Sequence, residues 1–289
     1  MEENESQQQS IQFMAIGDWG MDSAKQIGNG KEMAKIFADH EFVDEFFTVA
    51  LGDNFYHRGI KGIDDPKWSK VFSQPFKDVK CPWYPILGNH DWEGNVQSQL
   101  DFRGDERWQM PGFYYTKTIG RIQLVFIDTS ILCPEVSAEF TMKEFTPEKR
   151  QEHLDWLEDT LQLSTAEWII VFGHYPVYSG GWNGIMPEMQ PINDVMMKYH
   201  VDCYICGHDH SLQHLYCDKS QINYFVSGSG CERTYCKKLS GYSLFGVAVE
   251  GFLNCTIRGC MMTAAFVSYE GKELYKVNVQ RRTKEKEIG

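Results

Sequence analysis

Five short apolar runs in this chain each end in a glycine followed at once by a side chain that can bind a metal. IQFMAI leads into GDWG, FFTVAL into GDNFY, WYPIL into GNHD, WIIVF into GHYP and CYIC into GHDH. Each run reads as a strand, and WIIVF is too apolar for a surface strand and reads as buried on both faces. Ligand sites in open α/β sheets gather beyond the carboxyl ends of such strands. The glycines let the backbone turn tightly and approach closely. One such motif alone is more often a turn than a site. Five at equivalent positions bring Asp18, Asp53, Tyr56, Asn89, His174, His208 and His210 together as one candidate metal centre.

The rest of the chain reads as α/β in one domain, residues 11–281, between a polar N-terminal extension (1–10) and a charged tail (282–289). A helix is expected from about Ser23 to His40, with Ile27, Ala34 and Phe37 facing inward. A second begins at Thr146-Pro147, a cap followed by proline at the first helical position, and carries Leu154, Leu157 and Leu161 at helical spacing. A third spans about Ile192 to Tyr199. After residue 222 the pattern turns strand-rich: NYFVSG, SLFGVAVEG, MMTAAFVSYEG and LYKVNVQ. A net charge of −12 argues against nucleic acid or an anionic membrane as partner, though not against a small phosphorylated substrate, since a metal reverses the local sign. No apolar run reaches the roughly 18 residues that span a bilayer, and MEENESQQQS lacks the pattern of a secretory signal.

Nine cysteines leave at least one unpaired in a monomer. Cys203 and Cys206 form a CxxC, but on a strand residues three apart point to opposite faces, which disfavours zinc. Cys231 with Cys236, and Cys255 with Cys260, read either as hairpin disulfides or as free thiols. Asn254-Cys255-Thr256 is a glycosylation sequon in strand-like surroundings.

The order and spacing of the five motifs resemble the calcineurin-like metallophosphoesterases, and within them the small, mammalian-type purple acid phosphatases, over residues 11–281. The resemblance implies a four-layer α/β/β/α sandwich, two mixed sheets flanked by helices. Protein phosphatases of the superfamily open with GDxHG, whose histidine binds the first metal. Here position 20 is glycine, and Tyr56 stands where purple acid phosphatases place the replacement. The resemblance then implies Asp18, Asp53, Tyr56 and His210 on a first metal, and Asp53, Asn89, His174 and His208 on a second. The first donor set suits Fe(III), with a purple phenolate band. The second suits Fe(II), Zn(II) or Mn(II). It further implies acid phosphatase activity on phosphomonoesters by attack of a metal-bound hydroxide, with His90, Asn89 and His174 as catalytic residues and His90 as general acid or phosphate-orienting group. Asp91 reads as support for its loop, Asp128, which ends a further strand in VFIDTS, as structural, and Tyr175 as part of the site wall.

The match has departures. Mammalian-type members carry a second histidine in the loop after GHYP. Here VYSGGWNGIMPEM has none, and Trp182 or Asn183 takes that region, as a substrate-contacting rim or as a plain surface loop. Residues 133–149 match the location of the family's repression loop with a different sequence, and Cys133 lacks the cysteine it would pair with. A phosphodiesterase or pyrophosphatase, or a non-catalytic scaffold, are the competing readings. Phosphopeptides or small phosphates are the expected substrates, a monomer the expected state, and a secreted, lysosomal or vacuolar setting the one the family implies.

Overall fold

The computed structural model describes residues 10–40, 43–133 and 145–282. Among the described residues, thirteen strands form two sheets. In chain order they are β1 (Ser10–Ile16), β2 (Glu45–Leu51), β3 (Trp83–Ile86), β4 (Tyr115–Ile119), β5 (Ile122–Phe126), β6 (Trp168–Phe172), β7 (Cys203–Cys206), β8 (Leu212–Tyr216), β9 (Asn223–Ser227), β10 (Ser243–Val247), β11 (Gly251–Arg258), β12 (Met261–Ser268) and β13 (Glu273–Gln280). The first sheet runs β13-β12-β11-β1-β2-β3, the second β10-β8-β9-β7-β6-β5-β4. Both are mixed: β1, β2 and β3 pair in parallel, as do β5, β6, β7 and β9, and the other pairs are antiparallel.

Alternation along the strands builds the layers. In WIIVF, Trp168, Ile170 and Phe172 point into the core between the sheets, while Ile169 and Val171 point outward under the helices. Phe13 stacks on Phe47 of its own sheet at 5.3 Å and meets Phe172 of the other edge-on at 5.9 Å. Helices α1 (Ala24–Ala38), α2 (Asn89–Trp92) and α3 (Gln97–Asp101) follow strands of the first sheet. Helices α4 (Thr129–Leu132), α5 (Pro147–Gln162) and α6 (Gln190–Lys198) follow strands of the second. The result is the four-layer sandwich the motifs imply.

Thr146 caps α5, its hydroxyl accepting from the Lys149 N–H, with Pro147 at the first position as expected. In α1 the expectation fails at Ile27, which is exposed, while Gln26 and Asn29 take the inward face. Their amide N–H groups donate to the carbonyls of Val71 and Gly230, and these bonds hold the two polar side chains on the inward face in place of Ile27. Ala34 and Phe37 are half-buried against the outer core of the first sheet. Strands β4 and β8 are additional to those expected, and β11 is the strand-like segment around Asn254.

Cys203 faces the central core and Cys206 the outer one. Cys231, Cys236, Cys255 and Cys260 form no disulfide, which corrects the hairpin-disulfide alternative: Cys231 and Cys255 are buried thiols, Cys236 is half-buried and Cys260 exposed. Asn254 lies on β11 between β1 and β12, its side chain accepting from Gln12, a paired strand position rather than an acceptor loop. The proposed extension and tail lie almost wholly outside the described residues, as does most of the 133–149 segment.

Candidate metal centre

The parallel strands end in register, Ile16 beside Ala50, Leu51 beside Ile86, and Phe172 beside Ile205. Their loops therefore emerge at one level, and the two sheets are tied together there. The Gly17 N–H donates to the Ser227 carbonyl, and the Ser227 hydroxyl to the carbonyl of Ala15. Gly88 has no room for a side chain: a Cβ there would lie 2.2 Å from Asp53 Oδ1. Asp18, Asp53 and His208 adopt left-handed backbone, at φ 55°, 50° and 66°. That conformation costs a non-glycine residue on the order of 1 kcal/mol, and such outliers cluster at functional sites.

Two donor groups result. In the first, Tyr56 Oη lies 3.0 Å from each of Asp18 Oδ1, Asp53 Oδ2 and His210 Nε2. In the second, His174 Nε2 lies 3.2 Å from Asn89 Oδ1 and 3.5 Å from Asp53 Oδ1, and its Nδ1 faces the Leu51 carbonyl at 2.8 Å. The His208 ring sits edge-on to His174 at 5.1 Å, backed by Tyr175 at 4.6 Å. Asp53 thus turns one oxygen to each group. The ligand atoms of Asp18, Asp53 and His174 lie within 4.8 Å of one another.

This arrangement fits metal ions by its own electrostatics. Asp18 and Asp53 are buried, and their only ion-pair partners among the described residues are His210 and His174. One phenol proton cannot serve both carboxylates beside Tyr56 Oη. Burial, with Asp18 and then Asp53 beside it, holds the phenol well above its ordinary pKa, so only an added cation would free the phenolate. Burial opposes charge on His210, but hydrogen-bonded Asp18 and nearby Asp53 hold it up to about 9. Burial and neighbouring His174 push His208 down to about 3, which keeps its imidazole a neutral donor.

Surrounding residues brace the loops. Asp91, raised to about 6 by burial and by Asp53, accepts from the backbone of Asn54 and Gly88 and from the Gln99 amide, so it spans two loops. Asp128, pushed up by burial to about 7, caps α4 and accepts from Trp92 Nε1. Thr129, not singled out in the sequence, accepts from the N–H groups of His174 and Tyr175. Asn183 Nδ2 donates to Asp209 Oδ1, which anchors the loop after GHYP to the GHDH turn. Trp182 stands 71% exposed against Tyr235. His90 lies at the edge: its N–H donates to Asp53 Oδ1 and its ring meets Tyr56 at 4.9 Å.

A family model for the calcineurin-like phosphoesterases matches residues 11–212. The tartrate-resistant acid phosphatase type 5 of Homo sapiens is 31% identical, covering 95% of this chain and 92% of its own. Purple acid phosphatase 4 of Arabidopsis thaliana is 33% identical, covering 92% and 83%. Among solved structures, GAP50, described as the anchor in the inner membrane complex of Plasmodium, matches with a TM-score of 0.81 at 26% identity, over 96% of this chain and 90% of that one. Motif, geometry and overall likeness thus agree that the chain belongs to the calcineurin-like phosphoesterase family, in its purple acid phosphatase branch.

Proposed function

We propose that the chain is a binuclear metal-dependent acid phosphatase that hydrolyses phosphate monoesters. The observation that carries this reading is the division of Asp53, one carboxylate oxygen facing Tyr56 and the other His174. On this reading Asp18, Asp53, Tyr56 and His210 hold a first ion, and Asp53, Asn89, His174 and His208 a second. The anionic oxygen-rich first set favours Fe(III), and the amide and imidazoles of the second favour Fe(II), Zn(II) or Mn(II). Bound there, paired ions supply Lewis-acid polarisation of the phosphoryl group and activation of water.

The chain's own residues supply the rest. Asn89 and His174 orient the phosphoryl group's side of the centre, His90 delivers a proton to the departing ester oxygen, and Tyr175 walls His208 from solvent. Small phosphorylated molecules or phosphopeptides are the substrates, and a secreted, lysosomal or vacuolar setting follows from the relatives. No helix among the described residues is long and apolar enough to cross a membrane.

The likeness to the Plasmodium anchor supports a second reading, a scaffold without turnover. Assaying the metal-loaded protein on 4-nitrophenyl phosphate and on bis(4-nitrophenyl) phosphate separates them. Faster cleavage of the monoester is expected. Faster cleavage of the diester would make the chain a phosphodiesterase, and no cleavage of either would favour the scaffold.

A further inference from the structure

The short helix α2 places Glu93 three residues after His90, on the same side of one turn. His90 Nδ1 and Glu93 Oε1 are 2.6 Å apart, the length of a charge-assisted bond. The Glu93 side chain is only 11% exposed, and its other oxygen lies 3.6 Å from Arg58 Nε. Arg58 is itself 87% exposed, so it steers Glu93 weakly. The two loops are in backbone contact, since a Cβ on Gly94 would lie 2.6 Å from the Ile60 carbonyl and 2.9 Å from that of Arg58.

His90 is therefore fixed at three points. Its N–H is held by Asp53, its ring face by Tyr56 and its Nδ1 by Glu93. Nε2 makes no hydrogen bond among the described residues. We infer that Glu93 is a positioning residue for His90: by accepting the Nδ1–H it fixes the ring's rotamer and turns Nε2 to the leaving group, so that the imidazolium hands over its Nε2 proton and keeps the one on Nδ1. A histidine whose second nitrogen is committed to a carboxylate has its tautomer and orientation set, whatever its neighbours do.

The inference rests on the phosphatase reading. In the step concerned, the bond from phosphorus to the ester oxygen breaks and its electron pair stays on that oxygen. The Nε2 proton of the His90 imidazolium joins it to give the alcohol, leaving a neutral ring with its Nδ1–H on Glu93. Water supplies the oxygen that bonds to phosphorus, and the proton it sheds restores Nε2–H.

The protonation matters only when the leaving group is poor, and this gives a readout that a merely structural role would not move. In Glu93→Leu, kcat on an alkyl ester such as phosphoserine is expected to fall about 10- to 100-fold. On 4-nitrophenyl phosphate, whose phenol leaves readily as its anion, the fall is expected to stay within about threefold, with KM little changed on both. Glu93→Gln keeps an oxygen facing Nδ1–H and is expected to restore the alkyl rate to within a few fold. Glu93→Asp keeps the charge but withdraws it by one methylene and is expected to behave like the leucine variant, which serves if the latter does not fold. Equal losses on both esters, or a Glu93→Gln variant as impaired as Glu93→Leu, would overturn the inference and leave the phosphatase reading intact. A wild-type protein that cleaves neither ester would overturn both.

Discussion

The two sheets make unlike contributions to the candidate centre. Loops of the first sheet supply only oxygen donors: Asp18 after β1, Asp53 and Tyr56 after β2, and Asn89 after β3. Loops of the second supply only imidazoles: His174 after β6, and His208 and His210 after β7. Neither half is a binding site alone. The anionic half lacks cations of its own, and the histidine half lacks the carboxylate that would join two ions. The comparison teaches that the candidate site is a property of sheet docking, held at the Gly17–Ser227 seam, so that metal bound there would be linked to the stability of the sandwich.

The sharpest way to break this comparison is to remove the residue both groups share. Asp53→Ala is expected to lose both ions and to lower kcat on the order of a thousandfold, as for a strong electrostatic group in a water-poor site. Retention of two ions by that variant, measured by metal analysis, would show that the groups are independent. Chelation tests the linkage next. With free metal at about a thousand times its Kd, binding adds about 4 kcal/mol, or roughly 8 °C in Tm for a chain of this size. An apoprotein that melts with the holoprotein would uncouple site and sandwich. Single-sided variants sharpen the division: Asp18→Asn is expected to lose the first ion and His208→Ala the second, each with about a hundredfold loss of kcat. Loss of both ions from either would place the division elsewhere.

The smallest effect comes from a histidine outside the centre. His153 on α5 is buried, stacked on Tyr114 at 3.8 Å, and neither ring nitrogen is hydrogen-bonded among the described residues. Burial alone pushes its pKa down to about 3. The unfolded chain takes up this proton near pH 6.5 and the folded chain not until about pH 3, so the penalty is absent above 6.5 and grows as pH falls through that window. His153→Phe is expected to remove about 2 kcal/mol of stability loss at pH 5, read as a shallower fall of Tm between pH 7 and 5. An unchanged slope would assign the acid sensitivity to the imidazoles of the centre.

Much of this was legible in the chain. Strands such as WIIVF and FFTVAL carry apolar residues on both faces, so their ends, and the motifs at those ends, could be located without coordinates. Strands β4 and β8 could not. LQHLY carries Gln213 and His214, whose burial becomes tolerable only through partners brought from elsewhere: Ser179 and Ser211 for Gln213, Asn223 and Tyr275 for His214. Which strands share a sheet, and so the oxygen–nitrogen division, is likewise set by pairings between distant segments. Ile27 misled because periodicity marks a face without revealing that Gln26 and Asn29 have carbonyls to reach. Glu93 was within reach of sequence reasoning, as a carboxylate three residues beyond a candidate acid, but only once GNHD is known to open a helix rather than a loop.

The central claim is a binuclear centre whose first ion is completed by Tyr56. Metal analysis with a visible spectrum of the oxidised protein tests it most directly. Two ions per chain, about one of them iron, and a broad purple band that disappears in Tyr56→Phe are the predicted result. A colourless wild-type protein without iron, or a purple band unchanged in Tyr56→Phe, would contradict it.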